Sequence, residues 1–278
     1  MKKKLLCMTL ALILSLSIFA VGCSSSKNGA AKEKESAKQQ TDFEKIKKSG
    51  KIVLGTCADY PPYEFHKVTN GKDEITGFDI LILKEAAKDL GVELEIKDMS
   101  FDGLLSALQA GTVDVVAAGM NPTPERMKSV DFSNSYHKIV QSIIVRTEDK
   151  DKYKTIDDFK GKKVAAQKGS TQQDFIKEKM PGSEFKGLSK VTDIVLDLKN
   201  KKVEAAVLEE PIAKAYVSKN PDLAISDVDV KGNENGYAIA IKKDNKELLD
   251  SINKTLDRLT KDGSINKFME EMVKEEAE

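Results

Sequence analysis

The sequence predicts an α/β protein in which two lobes are joined by two hinge strands. Short apolar strands alternate with amphipathic helices, a pattern typical of parallel sheets with helical crossovers. The alternation runs through one unit and restarts in a second. Two uninterrupted apolar strands, residues 139–145 and 237–241, follow the two units and predict that the chain crosses between the lobes twice.

The first unit contains both apolar strands and helices with a regular apolar stripe. Residues 52–54 are an apolar strand, and the next helix spans 77–91, with apolar side chains at i, i+3, i+4 and i+7 and a glycine at its end. A strand at 94–96, a helix at 102–111 and a strand at 113–117 complete the unit. We therefore expect three parallel strands with two helical crossovers.

The second unit repeats this plan. It contains predicted helices at 156–159, from 171, at 191–198 and from 211, and predicted strands at 164–166, 203–208 and 223–225. Two closing helices, at 248–259 and 265–272, follow the second apolar strand. The predicted boundaries are lobe 1 at 43–136 plus 237–278, lobe 2 at 141–231, and hinges at about 137–140 and 232–236.

The N-terminus has the pattern of a secretion signal rather than of a folded element. Three lysines at 2–4 precede an apolar run at 5–21 that is short for a membrane-spanning helix. The run ends in Ala-Val-Gly-Cys, which resembles the lipobox of bacterial lipoproteins. We predict a signal peptide at 1–22, lipidation of Cys23 and a flexible tether to residue 42, since this stretch is rich in Ser, Lys and Ala. Ordinary cleavage beside an unmodified cysteine is the alternative.

Composition excludes several classes of function. Lys+Arg and Asp+Glu both number 45, and this balance does not fit a nucleic-acid-binding protein. The two histidines, His66 and His137, have no metal-ligand spacing, and no phosphate-binding or nucleophile motif is present. Cys57 has no partner left for a disulfide and is best interpreted as a buried, inert thiol. We expect no catalytic residue, metal or cofactor.

Four loops follow the carboxyl ends of predicted strands, where ligands bind to open parallel sheets: 57–64, 118–126, 167–172 and 209–211. Arg126 lies in the second loop, and its planar guanidinium suits a carboxylate. A surface role is the alternative for any single arginine. However, Arg126 and Arg146 are the only arginines before residue 200 in a chain that otherwise uses lysine.

The other loops contain weaker candidates. Glu210 follows a strand and could accept an ammonium group, although Glu209 fits equally well. The segment from Gly169 to Thr171 could bind an anion through its backbone amides, or could simply cap a helix. Aromatic side chains at Tyr60, Tyr63 and Phe101 could form the walls of a pocket or belong to the core.

These motifs resemble the polar amino acid solute-binding proteins of ABC importers. The resemblance is carried by Gly55 to Phe65, by Gly77-Phe78-Asp79-Ile80, by Ala117 to Arg126 and by Asp131-Phe132-Ser133, and it extends over about residues 51–273. It implies the type II periplasmic-binding-protein-like fold, with the ligand in a cleft between lobes.

The resemblance also implies a role for each loop. Arg126 would hold the ligand α-carboxylate with the backbone amides of Asn121 and Thr171. The carbonyl of Ala118 or Gly119 and the acid Glu210 would receive the α-ammonium, although many family members have Asp at the Glu210 position. The side chain of the ligand would contact Tyr60, Phe101 and Gln167.

One difference from the family pattern affects the expected specificity for the ligand side chain. Family members often have Asp at the Cys57 position, where it can contact the ligand side chain, and a thiol cannot supply that charge. Asp59 or Glu64 could supply it instead. The ligand is predicted to be a polar or basic amino acid, with arginine among the candidates.

The predicted mechanism is hinge closure around the amino acid, which would then pass to an ABC permease with its ATPase subunits. We expect a monomer, lipid-anchored at the outer face of the cytoplasmic membrane. An enzyme similar to cyclohexadienyl dehydratases on the same fold is an alternative. A ligand-sensing receptor domain is another, disfavoured because no span or signalling module follows the second lobe in this sequence.

Overall fold

The computed structural model of the chain describes residues 40–138, 140–230 and 236–277. The predicted signal peptide, the lipidation site Cys23 and most of the predicted tether lie outside the described residues, as do Ile139 and residues 231–235 of the predicted hinges. Within the described residues, no helix is long and apolar enough to cross a membrane.

The described chain forms thirteen strands. They are β1 (Lys51–Thr56), β2 (Asp59–Tyr60), β3 (Glu64–Thr69), β4 (Lys72–Thr76), β5 (Glu93–Asp98), β6 (Val115–Val116), β7 (Val130–Phe132), β8 (Gln141–Arg146), β9 (Lys163–Gln167), β10 (Glu184–Leu188), β11 (Ala205–Glu209), β12 (Leu223–Ile225) and β13 (Ala240–Lys242).

It also forms nine α-helices. They are α1 (Asp42–Ser49), α2 (Phe78–Leu90), α3 (Leu104–Gln109), α4 (Pro124–Met127), α5 (Thr171–Lys179), α6 (Val191–Lys199), α7 (Glu210–Lys219), α8 (Lys246–Lys261) and α9 (Ser264–Ala277). The α/β class predicted from the sequence is thereby confirmed.

Two five-stranded sheets organise these elements. The first has the order β5-β1-β6-β13-β7, and the second has the order β10-β9-β11-β8-β12. In the first, β1 pairs in parallel with β5 and β6, as the sequence predicts, while β13 lies antiparallel between β6 and β7. Following the predicted boundaries, we call the described residues 43–136 and 237–277 lobe 1 and residues 141–230 lobe 2.

The chain passes between the sheets at two places that lie side by side. His137, on the way out of lobe 1, forms an antiparallel bridge with Tyr237 on the way back. The backbone amide of Tyr237 donates to the carbonyl of His137 at 2.8 Å. These residues lie at the edges of the two predicted hinges.

Helix α2 illustrates how the sequence builds lobe 1. Gly77 precedes it and Gly91 ends it in the left-handed conformation. Its buried face includes Ile80, Leu83 and Ala87, which pack in the core of the lobe. Its exposed face is joined to α8 by Arg258, which donates to Glu85 and Asp89 at 2.8 Å. Burial of the apolar stripe stabilises the helix, since the exposed ion pairs contribute little.

Four local predictions differ from the structure. The loop predicted at 57–64 contains the short strand β2 and runs into β3. Strands β3 and β4 form a hairpin that the sequence analysis did not predict. The helix predicted at 156–159 is a single 3-10 turn, and the helix predicted at 102–111 begins with a 3-10 turn, Phe101–Gly103, before α3. Short segments with few apolar residues lack the periodicity that distinguishes these states.

Candidate functional site

The four predicted loops meet where the two lobes face each other. Arg126 of lobe 1 donates through Nη2 to the carbonyl of Gly169 in lobe 2 at 2.8 Å. The hydroxyl of Thr171 donates to Oδ1 of Asn121 at 3.1 Å across the same gap. On the other side, the hydroxyl of Tyr60 in lobe 1 donates to Glu209 in lobe 2 at 2.8 Å. The four loops predicted from strand order therefore lie together in the structure.

Arg126 is held in place by its own loop. Thr123 caps the short helix α4 by accepting the backbone amide of Arg126 at 3.2 Å. Nη1 donates to the carbonyl of Asn121 at 2.7 Å, and the guanidinium lies over the ring of Phe101, 5.4 Å from its centroid. Burial lowers the pKa of Arg126 to about 10, so it remains a cation at neutral pH. The result is an oriented positive charge at the lobe boundary.

Arg146, the other arginine in the first 200 residues, is bonded within the interior of lobe 2. Its guanidinium is buried in lobe 2, pairs with Asp149 at 2.6 Å and donates to the carbonyls of Leu198 and Val203 at 2.9 and 2.7 Å. These bonds join β8 to the segment between α6 and β11. Of the two arginines, Arg126 faces the cleft.

Glu209 is the acid of lobe 2 that faces the cleft. It is the last residue of β11 and only 1% exposed, and its Oε2 accepts from Tyr60. Burial raises its pKa to about 8, against the opposite effects of the Tyr60 hydroxyl, the Gln172 amide and Arg126. Oε1 is buried without a donor in hydrogen-bonding geometry within the part of the chain that the structure describes. Oε1 of Glu209 is therefore free to accept a hydrogen bond from a cationic group.

Glu210, which the sequence analysis favoured for that role, lies elsewhere. It is the first residue of α7, and its carboxylate pairs with Lys214 one turn further along at 2.5 Å. It lines a groove of about 450 Å³ together with Pro62, Tyr63 and His137. This geometry favours Glu209 over Glu210 as the acceptor of an ammonium group.

Gly119 is required by close packing at the site. Its φ is +53°, and a Cβ there would lie 3.0 Å from the ring of Tyr60 and 3.2 Å from that of Tyr237. Its backbone amide donates to Oδ2 of the buried Asp79 at 3.0 Å. Ala118, beside it, is also buried. The loop is thus fixed against the ring of Tyr60, and Asp79 is a supporting residue that the sequence analysis placed only in a family motif.

Gln167 and Cys57 meet across the lobes. The Gln167 amide donates to the carbonyl of Ser189 at 3.2 Å and to the sulfur of Cys57 at 3.6 Å. Burial raises the pKa of the Cys57 thiol, so the thiol stays neutral. Nearby, Ser170 caps α5 by accepting from Gln173 at 3.2 Å. The capping interpretation of Ser170 is confirmed.

Buried carboxyl groups surround Tyr60. Asp59, Glu64, Asp79 and Glu209 are each at most 6% exposed, and the charges of Asp59, Asp79 and Glu209 each raise the pKa of Glu64. Burial is the largest cause of the raised pKa of all four, and it brings that of Asp79 to about 6. Arg126 is the positively charged side chain that lowers the pKa of Glu209. The lobe boundary therefore contains more acidic than basic side chains.

Comparison with known proteins identifies the family. The model for bacterial extracellular solute-binding proteins, family 3, matches residues 52–275. The chain belongs to this family. It is 37% identical to the arginine-binding extracellular protein ArtP of Bacillus subtilis, over 96% of both chains. It is 31% identical to ABC transporter arginine-binding protein 1 of Escherichia coli, over 80% of this chain and 90% of the relative.

The solved structures agree. An amino acid ABC transporter substrate-binding protein, AbpA from Streptococcus pneumoniae, bound to L-arginine, has a TM-score of 0.82 and 40% identity, covering 84% of this chain and 99% of that one. The predicted type II fold and amino acid-binding function are confirmed over the dehydratase alternative. As a member of this family, the protein is an extracytoplasmic solute-binding protein and not an enzyme.

Proposed function

We propose that this solute-binding protein captures L-arginine between its lobes and delivers it to an ABC permease. The observation that supports a free amino acid is the placement of opposite charges on the two lobes, each directed at the other lobe. Arg126 of lobe 1 reaches Gly169 of lobe 2 at 2.8 Å, and Glu209 of lobe 2 reaches Tyr60 of lobe 1 at 2.8 Å. A zwitterion with one group at each of these residues would satisfy both only when the lobes are together.

In this proposal each side chain has a defined role. Arg126 binds the α-carboxylate through its planar fork, assisted by the backbone amides of Asn121 and Thr171. Glu209 and a carbonyl of Ala118 or Gly119 receive the α-ammonium. Phe101 lies under Arg126 and positions it, while Tyr60 and Gln167 line the cleft for the ligand side chain.

The acidic surroundings favour a cationic side chain over a neutral one. Glu64 and Glu209 have pKa values raised by burial, so each would ionise readily only beside a cation. The guanidinium of arginine supplies that cation in addition to the α-ammonium. The curated relatives and the neighbouring structure named for arginine point to the same ligand.

A thermal-shift screen of the purified protein, freed of co-purified amino acids, tests this proposal. A ligand that binds the folded protein raises its melting temperature by mass action. We expect the largest shift with L-arginine and smaller shifts with lysine, ornithine, glutamine and cystine. A larger shift with glutamine or cystine would contradict the assignment of arginine, and no shift with any amino acid would contradict the proposed function.

The proposal includes attachment to the membrane through Cys23, with the permease and its ATPase subunits as partners and with the binding protein acting as a monomer. More than one acyl chain gives stable anchoring, since each buried methylene contributes about 0.8 kcal/mol. Labelled palmitate should appear in the wild-type protein and in the control Cys57→Ala, and should be absent from Cys23→Ala. Label that persists in Cys23→Ala would contradict the anchor.

A further inference from the structure

Asp59 of lobe 1 is bonded to two different helices of lobe 2. Its carboxylate oxygen Oδ2 accepts from the backbone amide of Val191, at the start of α6, at 2.5 Å. Its backbone carbonyl accepts from the hydroxyl of Tyr216, in α7, at 2.8 Å. The residue is 6% exposed. One residue of the first binding loop therefore joins both helices to lobe 1.

The side chain of Asp59 is oriented from within its own lobe. Oδ1 accepts from the thiol of Cys57 at 3.3 Å, which leaves Oδ2 directed at lobe 2. Burial raises the pKa of Asp59, while the Cys57 thiol, the Val191 amide and Lys190 lower it. Both carboxylate oxygens thus have protein donors. Asp59 differs in this respect from Glu209, whose Oε1 has no such donor among the described residues.

Helix α6 has no N-terminal side-chain cap of its own. The residue at its N-cap position is Lys190, which makes no capping hydrogen bond. The first amides of a helix have no partner inside the helix, and the N-terminus carries partial positive charge. An Asp, Asn or Ser normally supplies the acceptor from the residue before the helix. Here the acceptor comes from the other lobe.

We propose that Asp59 is a cross-lobe helix cap that slows release of the bound amino acid without contacting it. Because Asp59 and Val191 belong to different lobes, their bond stabilises the closed arrangement and is lost when the lobes separate. An interaction made in only one of two states shifts the population towards that state. This positioning role rests on the proposed function, since it concerns the closure that retains the ligand.

The expected effect is on dissociation. A helix cap contributes an amount equivalent to roughly a 3- to 30-fold change in an equilibrium constant. The bond forms as the lobes close, after the ligand has entered, so its loss should raise the dissociation rate by about that factor. The association rate should change less than about twofold.

Stopped-flow measurement of L-arginine association and release tests the proposal on five proteins: wild type, Asp59→Ala, Asp59→Asn, Tyr216→Phe and Lys154→Ala. Asp59→Ala should release arginine faster by the factor given above. Asp59→Asn should recover part of the loss, since its amide oxygen can still accept from Val191. Tyr216→Phe should show a smaller increase. Lys154→Ala is the control, because its ion pair with Asp151, at 2.8 Å, is exposed to solvent and lies within lobe 2.

Hydrogen exchange at the start of α6, measured with and without L-arginine, gives a second readout of the bond. With arginine bound, the Val191 amide should exchange faster in Asp59→Ala than in wild type, and in Lys154→Ala it should exchange as in wild type. Unchanged release and exchange in both Asp59→Ala and Tyr216→Phe would overturn the inference, as would a slower association with unchanged release. A wild type that does not bind arginine would contradict the proposed function instead, and the same exchange comparison with an amino acid that does raise the melting temperature would then decide whether the cap exists.

Discussion

Glu209 and Glu210 are neighbours in the chain with opposite environments. Glu209 ends strand β11, where it is 1% exposed and faces Tyr60. Glu210 begins helix α7 and pairs on its surface with Lys214. The sequence analysis could predict an acid at this strand end, but the choice between two adjacent acids depends on the residue at which strand becomes helix. Boundaries of this kind vary by a residue or two in any pattern-based assignment.

This difference gives a matched pair of substitutions. Glu209→Gln should weaken arginine binding by about 2–5 kcal/mol, because it removes one partner of a buried charged pair. Glu210→Gln should change binding by less than about 0.5 kcal/mol, as expected for a surface site. Isothermal titration calorimetry of both variants measures the difference. Equal losses, or a larger loss for Glu210→Gln, would contradict the proposed role of Glu209.

Glu209 also predicts how binding depends on pH. Its pKa of about 8 means that the carboxyl is largely protonated at neutral pH, and an ammonium group beside it would lower that pKa. Binding should therefore release a proton at pH 7. Affinity should rise as pH increases towards about 8 and level off above it, since the carboxylate is then already ionised.

Calorimetric titrations at pH 7 in buffers of different ionisation enthalpy measure this proton release. Glu209→Gln is the control and should release fewer protons. Proton uptake by the wild type, or affinity that falls between pH 6 and pH 8, would contradict the assignment of Glu209 to the ammonium.

At the level of secondary-structure elements, apolar periodicity determined which elements were predictable. Helix α2 and strands β1 and β9 bury regular apolar patterns and were predicted. The hairpin of β3 and β4 was not, because these strands are largely exposed and rich in charged residues. Its turn at Asn70-Gly71, where both residues have positive φ, is a recognisable hairpin signal. Strand β10, only partly buried, was missed for the same reason.

Gly77 shows how an element boundary supports the site. It has a φ of +137°, and a Cβ there would lie 2.1 Å from the carbonyl oxygen of Tyr63. Directly after it, the first amides of α2 donate to the carbonyls of Pro62 and Tyr63 at 3.0 Å. The start of this helix is therefore packed directly against the first binding loop.

Gly77→Ala should accordingly lower the free energy of unfolding by about 3 kcal/mol or more, through backbone strain and overpacking. Gly111→Ala is the control, since Gly111 has a φ of +71° with open space around its Cβ position, and it should cost about 1 kcal/mol. Urea denaturation of both variants measures the two costs. Equal costs would show that the close contact with Tyr63 does not govern the stability of this loop.

At the level of the whole molecule, the order of strands and helices was enough to predict two α/β lobes and to locate the cleft between them. Parallel sheets place their strand ends at one edge, so four loops could be assigned to the cleft before any coordinates. The hydrogen bonds between the two lobes could not be predicted from the order of strands and helices. The bonds of Asp59 to Val191 and Tyr216 join residues more than 130 positions apart, and no local pattern encodes such contacts.

The central claim is that one amino acid is held by both lobes at once, through its carboxylate at Arg126 and its ammonium at Glu209. The most direct measurement is a calorimetric comparison of L-arginine with agmatine, which keeps the guanidinium and an amine but lacks the α-carboxylate. We predict that arginine binds and that agmatine binds at least roughly 100-fold more weakly, because Arg126 would be left without its partner in a desolvated site. Agmatine that binds as tightly as arginine would contradict the account.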